Sequence, residues 1–225
     1  PGEEKLPGGA AAVLAAGGLN GASAIIGAHL WQPLPIGVTG LSAGSLAAAY
    51  DEFEIQIQGR GGHSAMPQQT VDSVFIACQL VTLLQSVIGR TVDPHEAAVL
   101  TVSSIQAGES INVIPAKAVL RGTLHTANEK IRRELAEQVR KIADGLTKSL
   151  GAACTVEIKQ GVPNLVNHPA VADVLFMSAS EFVGMRNTWD VAPLLGGEDF
   201  ARYLEHIPGA FILIGCGNEE KGIIH

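Results

Sequence analysis

Phe53, Ile55 and Ile57 alternate with Glu52, Glu54, Gln56 and Gln58, the period-two pattern of a strand with one buried face. A Gly-rich loop from Gly59 to Pro67 follows. The spacing then changes. Apolar residues fall at Val71, Val74, Phe75, Cys78, Val81, Leu84 and Ile88, which predicts a helix over 71–90. Thr70 is placed to cap it, and Asp72 suits its positive end. Segments 97–106 and 117–125 are rich in Val, Ile, Leu and Thr and read as strands. A second helix is predicted over 128–149, with the stripe Ile131, Leu135, Val139, Ile142 and Leu146. Thr126 and Glu129 have capping-box spacing at its start. Glu129 with Arg133, and Glu137 with Lys141, are spaced as i,i+4 pairs on its wet side. After Gly151, Cys154 to Ile158 reads as a strand.

The order strand, helix, strand, strand, helix, strand is the ferredoxin-like βαββαβ arrangement. It closes on itself over residues 50–160, so it is expected as an insertion in a second domain. In the flanks, residues 10–16 read as an Ala-rich helix, Ala24-Ile25-Ile26 as a short buried strand and 169–183 as a helix. A short helix follows Phe200, and Ala210 to Gly215 is an apolar strand. Residues 1–49 and 161–225 are therefore expected to form a second α/β domain lacking much of its sheet.

Composition narrows the function. Of 225 residues, 47% are hydrophobic, enough for a core, and the formal charge of −7 argues against a nucleic-acid partner. No uninterrupted apolar run reaches bilayer length, so no membrane is expected. Cys78, Cys154 and Cys216 form neither a CxxC motif nor an even disulfide set, which favours a reducing, cytoplasmic setting. Pro1 opens directly onto Glu3-Glu4 and His225 ends the chain after Gly-Ile-Ile, the look of a piece of a longer protein.

Glu3 and Glu4 carry the first chemical signal. Adjacent carboxylates repel each other, and metal-assisted hydrolysis gives a use for the pair: one ligates a cation while its neighbour takes a proton from the attacking water. On their own they also read as two solvated surface acids. His29 follows a buried strand, where α/β proteins place ligands. His63 lies in the Gly-rich loop, and His225 closes the chain after its last strand. His95, His168 and His206 lie in polar or turn contexts and read as surface residues.

Together these motifs carry a resemblance. Pro1-Gly-Glu3-Glu4, Gly8-Gly9-Ala10, Gly27-Ala28-His29-Leu30-Trp31, Gly59-Arg60-Gly61-Gly62-His63-Ser64-Ala65-Met66-Pro67, Asn112-Val113-Ile114-Pro115, Arg121-Gly122-Thr123, Gly197-Glu198-Asp199-Phe200 and Pro208-Gly209 stand in family order. The whole chain resembles the metal-dependent amidohydrolases that include aminoacylases, hippurate hydrolases and indole-acetyl-amino-acid hydrolases. The resemblance implies a catalytic α/β domain at 1–49 and 161–225 and an inserted lid and dimerisation domain at 50–160. It implies Glu3 as general base, and Glu4, His29 and His225 as ligands of two divalent metal ions, zinc or manganese. It implies that His63 and Asn112 reach a partner subunit's active site across a homodimer, holding the oxyanion and the substrate carboxylate.

The chain departs from the family in two places. The family's Cys-x-His ligand pair precedes the glutamates, and no such pair is present here, so this piece alone is expected to bind metal weakly and to be inactive. His125 stands where many members carry Arg, which makes it a candidate substrate contact. The implied reaction is amide hydrolysis of N-acyl amino acids. A dipeptidase or deacylase of the same family, or a non-catalytic dimerisation module, are the alternatives.

Overall fold

In the computed structural model, which describes residues 8–218, the described residues form seventeen α-helices and strands. They are α1 (Gly9–Ala15), β1 (Ile25–Pro35), β2 (Thr39–Leu41), β3 (Ser45–Ala47), β4 (Ala49–Gln58), β5 (Gly62–His63), α2 (Ser73–Thr91), β6 (Ala98–Ala107), β7 (Val113–Ile114), β8 (Lys117–Thr126), α3 (Glu129–Ser149), β9 (Ala153–Gln160), β10 (Leu165–Val166), α4 (Pro169–Val183), β11 (Thr188–Asp190), α5 (Ala201–Leu204) and β12 (Gly209–Gly217). They fall into two units. One holds the described residues up to Ala49 and from Val162 onward, and the other is Tyr50–Gly161.

The Tyr50–Gly161 unit is a four-stranded sheet with two helices on it and a separate two-stranded ribbon of β5 and β7. The strand order of the larger sheet is β6-β8-β4-β9, with β4–β9 and β6–β8 antiparallel. This is the ferredoxin-like order, with α2 after the unit's first strand and α3 after its third. Strand alternation sets the layers. Phe53, Ile55 and Ile57 of β4 join Leu120 and Leu124 of β8 in a core completed by Ile76, Leu80, Leu84 and Val87 of α2 and Leu135 and Val139 of α3. The opposite face of the sheet is polar. There Arg121 donates from Nε to Glu54 at 2.6 Å and from Nη1 to Gln106 at 3.0 Å.

Several local expectations are revised. Asp72, not Thr70, caps α2: its carboxylate accepts from Val74 N and Phe75 N at 2.9 and 3.1 Å. Thr70 instead closes its own turn by donating to Pro67 O at 2.8 Å. Likewise Asn128, not Thr126, caps α3, and Thr126 is buried in β8. Glu129 pairs with Arg132, one turn on, at 3.2 Å. By length and composition alone α2, at 19 residues, meets the minimum for a bilayer span, a test that helices packed in a protein core also pass. Its apolarity has a local cause as well, since one face is buried in the core above.

A buried ion pair ties this unit together. Arg132 of α3 donates from Nε to Asp51 Oδ2 at 2.8 Å, and a second guanidinium nitrogen reaches the other oxygen of the same carboxylate. Asp51 also accepts from Gly161 N at 2.9 Å. Burial pulls the Arg132 guanidinium down, but Asp51 and Glu129 outweigh it and hold the group above its ordinary value.

The other unit has the sheet order β1-β12-β2-β11. β1 and β12 are parallel, from Ile25↔Gly209 to Trp31↔Gly215, and β2 is antiparallel to β12 and parallel to β11. The expected three-residue strand at Ala24 to Ile26 is thus an eleven-residue strand reaching Pro35, because β12 supplies a long partner. α4 covers one face through Ala172 and Leu175 on Leu41, Ala210 and Ile212. The other face carries Leu46, Leu165, Phe200, Phe211 and Leu213. Buried Asn167 donates to Ser42 O and Phe211 O and accepts from Phe211 N at 2.8 Å, fixing the loop before α4 to β12.

Candidate active site

The Gly27-x-His29 spacing has a steric reason. In a strand, residues two apart share a face. At Gly27 a Cβ would lie 2.5 Å from the Phe211 ring and 2.7 Å from that of Phe200. These two rings meet at 4.9 Å, so only a glycine lets Phe200 pack beside β1. Seating Phe200 brings the residues just before it alongside His29. His29 Nδ1 lies 3.2 Å from Glu198 Oε2, and Phe200 N donates to Glu198 Oε1 at 3.3 Å. His29 is half-exposed, while the Glu198 side chain is 13% exposed. The pair opens on a small cavity of about 60 Å³ lined by Trp31, Leu194, Gly196 and Gly197 as well as the pair itself. Trp31 stands edge-on to the imidazole at 6.1 Å.

A carboxylate accepts and does not donate, so the proton of this pairing sits on Nδ1, and in the neutral ring Nε2 presents a lone pair. That is how a cation-ligating histidine is usually held. The donor types at this place fit a divalent metal. Among the described residues no group of three His, Cys, Asp or Glu side chains converges to hold one. Glu3, Glu4 and His225, the other residues expected there, lie outside the described residues. The next residue, Asp199, accepts from Ala10 N of α1 at 2.8 Å.

In the Tyr50–Gly161 unit the Gly-rich loop folds into a small ribbon. β5 pairs antiparallel with β7, His63 opposite Val113, and Ser64 N donates to Asn112 O at 3.0 Å. His63 and Asn112 are thereby neighbours, both exposed. Ala65 N donates to His63 Nδ1 at 3.1 Å, so in the neutral ring the hydrogen is on Nε2. The outward nitrogen is then a donor, which is what stabilising a developing oxyanion requires. His125 is elsewhere. It pairs with Val99 near the end of β8 and packs on Tyr50 at 5.2 Å between ring centroids. Eight residue steps separate it from Lys117 at the ribbon end of β8, about 26 Å at the usual strand rise.

Glu198 and Asp199 receive no role from sequence reasoning. The signal was present, because they are a second adjacent carboxylate pair behind glycines, like Glu3 and Glu4. What the sequence lacks is any sign that residues 169 positions apart meet.

The model of peptidase family M20/M25/M40 matches residues 1–225. An N-acetylcysteine deacetylase of Bacillus subtilis is 37% identical over 221 residues, covering 97% of this chain and 57% of that protein. An N-acyl-L-amino acid amidohydrolase of Geobacillus stearothermophilus is 40% identical over 166 residues, 74% of this chain and 45% of that protein. Among solved structures, a dinuclear metal-binding peptidase of the M20 family from Bacillus subtilis superposes with a TM-score of 0.79 at 34% identity, covering 96% of this chain and 54% of that one. The chain spans about half the length of the curated relatives it matches.

Proposed function

The chain belongs to peptidase family M20/M25/M40, and from that premise we propose that it is part of a metal-dependent amidohydrolase acting on N-acyl amino acids. The single observation that carries this reading is the His29–Glu198 pair, an imidazole held at Nδ1 so that Nε2 faces outward.

Residues 1–49 and 161–225 form the catalytic part, and residues 50–160 the lid. Glu4, His29 and His225 are ligands in a site for two divalent ions, zinc or manganese, whose donor types both metals accept. When bound, the metals polarise the amide carbonyl and lower the pKa of water. Glu3 takes the proton of the attacking water and returns it to the leaving amine. His63 donates from Nε2 to the carbonyl oxygen as it gains charge, and the Asn112 amide donates to the substrate carboxylate. Both act from the lid of a partner copy. The homodimer forms along edge strand β6 and the outer face of α2, where Val74, Phe75, Leu83 and Ile105 are exposed. His125 is far along β8 from the ribbon, so His125→Ala is expected to lower turnover less than Asn112→Ala. All three cysteines are free, in keeping with a cytoplasmic protein.

The test uses the full-length protein that contains this chain, assayed on N-acetyl amino acids with zinc or manganese added. Glu3→Gln is expected to lower turnover by about 10²–10⁴-fold with metal content unchanged, the range for losing a general base. Glu4→Gln is expected to lower metal content. Cleavage of dipeptides but of no N-acyl amino acid would assign a dipeptidase. Absence of both metal and turnover would leave a dimerisation module.

A further inference from the structure

We propose that Glu198 and Asp199 together are a positioning bracket for the hydrolytic site: Glu198 fixes the tautomer and aim of His29, and Asp199 anchors the start of α1, just after the Glu3–Glu4 pair. The proposal rests on the reading above for the roles of His29, Glu3 and Glu4.

Glu198 is held, not floating. One oxygen meets His29 Nδ1 at 3.2 Å and the other accepts from Phe200 N at 3.3 Å. Phe200 is 7% exposed and wedged against Phe211 and Tyr203. The backbone that carries the carboxylate is therefore pinned by the core. Its partner His29 is on β1, whose register is fixed by β12 at His29↔Leu213. Two elements far apart in sequence thus hold the imidazole and its acceptor face to face. A carboxylate on Nδ1 keeps the hydrogen there and leaves the Nε2 lone pair of the neutral ring for a cation. A surface ion pair formed only for stability would need none of this anchoring.

Asp199 points the other way. Its Oδ2 accepts from Ala10 N at 2.8 Å, satisfying one of the N–H groups left open at the start of α1. The approach is close enough to dictate sequence. At Gly8, with φ at +83°, a Cβ would lie 2.5 Å from Asp199 Oδ2. The conformation and the space both require glycine there. Glu4 is four residues before Gly8 in the sequence, so the helix that Asp199 anchors is the one that follows the base and the ligand along the chain. One dipeptide thus ties the imidazole ligand and the helix behind the glutamates to the same point.

The test uses the full-length protein with zinc as probe. It reads zinc affinity by competition with a chelator, the His29 tautomer by nitrogen-15 NMR of the metal-free protein, and turnover. Glu198→Ala is expected to weaken zinc binding by about 10–100-fold, the usual cost of removing such a partner, and to move the His29 hydrogen from Nδ1 toward Nε2. Glu198→Gln keeps an acceptor oxygen and is expected to restore the tautomer and most of the affinity. Asp199→Ala is expected to leave the tautomer as it is and to lower kcat more than zinc affinity. A Glu198→Ala protein with wild-type tautomer and wild-type zinc affinity would overturn the role of Glu198. An Asp199→Ala protein with wild-type kcat would overturn that of Asp199. Wild-type protein that binds no zinc, with His29 still carrying its hydrogen on Nδ1, would instead overturn the metal reading, and with it the purpose of the bracket.

Discussion

At the scale of single residues, the informative positions are those whose environment contradicts their chemistry. Arg132 and Asp51 are a charged pair buried to 8% and 2% side-chain exposure. Such a pair adds little over apolar residues of the same shape, but losing one member strands the other. Arg132→Met leaves the Asp51 carboxylate buried without its guanidinium, while the Gly161 N–H bond it already accepts remains. The loss is expected to be about 3–5 kcal/mol in urea unfolding. Arg132→Met combined with Asp51→Leu is expected to recover most of it. A single variant as stable as wild type would show that water reaches the carboxylate. Gly27 is the matching case without charge, because its missing side chain is what admits Phe200 and so sets Glu198 beside His29.

At the scale of elements, helix ends and strand lengths carry the lessons. The capping residue of α2 is Asp72, whose single oxygen Oδ1 serves two amide groups. Asp72→Ala is expected to cost about 0.5–2 kcal/mol, and Thr70→Ala less, as read by thermal unfolding. Equal losses would place the cap as first expected from sequence. Leu84, fully buried between α2 and the sheet, is expected to cost about 2–5 kcal/mol on change to Ala. Leu83, one residue earlier and so about 100° round the helix, is 41% exposed. Its replacement by Ala should cost little stability in the separate chain.

At the scale of the whole molecule, the outer face of α2 and the edge of β6 matter most. Phe75 and Leu83 are 52% and 41% exposed, an apolar surface the unit itself does not cover. Phe75→Asp with Leu83→Asp is expected to convert the proposed full-length homodimer to monomer in light scattering, with the fold intact by circular dichroism. A wild-type monomer at micromolar concentration would remove the dimer from the reading. A mixing experiment goes further. Subunits carrying Glu3→Gln and subunits carrying His63→Ala, each poorly active, should regain activity as a heterodimer, since one of its two sites would be complete. A verified heterodimer without recovery would place His63 in its own subunit's site or outside catalysis.

The sequence by itself determined the periodic elements. Apolar alternation along 52–58 and helical spacing along 71–90 and 128–149 are local patterns, and α2, α3 and β4 lie where those patterns put them. It also marked His29 and His63 as candidates, because Gly-x-His and the Gly-rich loop are short motifs. Only the tertiary structure decided which side-chain oxygen wins at a helix start. Thr70 and Thr126 had the spacing, but one turns back onto Pro67 and the other faces the core of a strand. It alone extended β1 to eleven residues, since a strand's length depends on its partner. It alone separated His125 from the ribbon that joins His63 to Asn112. And it alone gave Glu198 a role: hydrogen bonds reach about 3 Å regardless of how many residues of chain lie between the partners, and no local pattern records them.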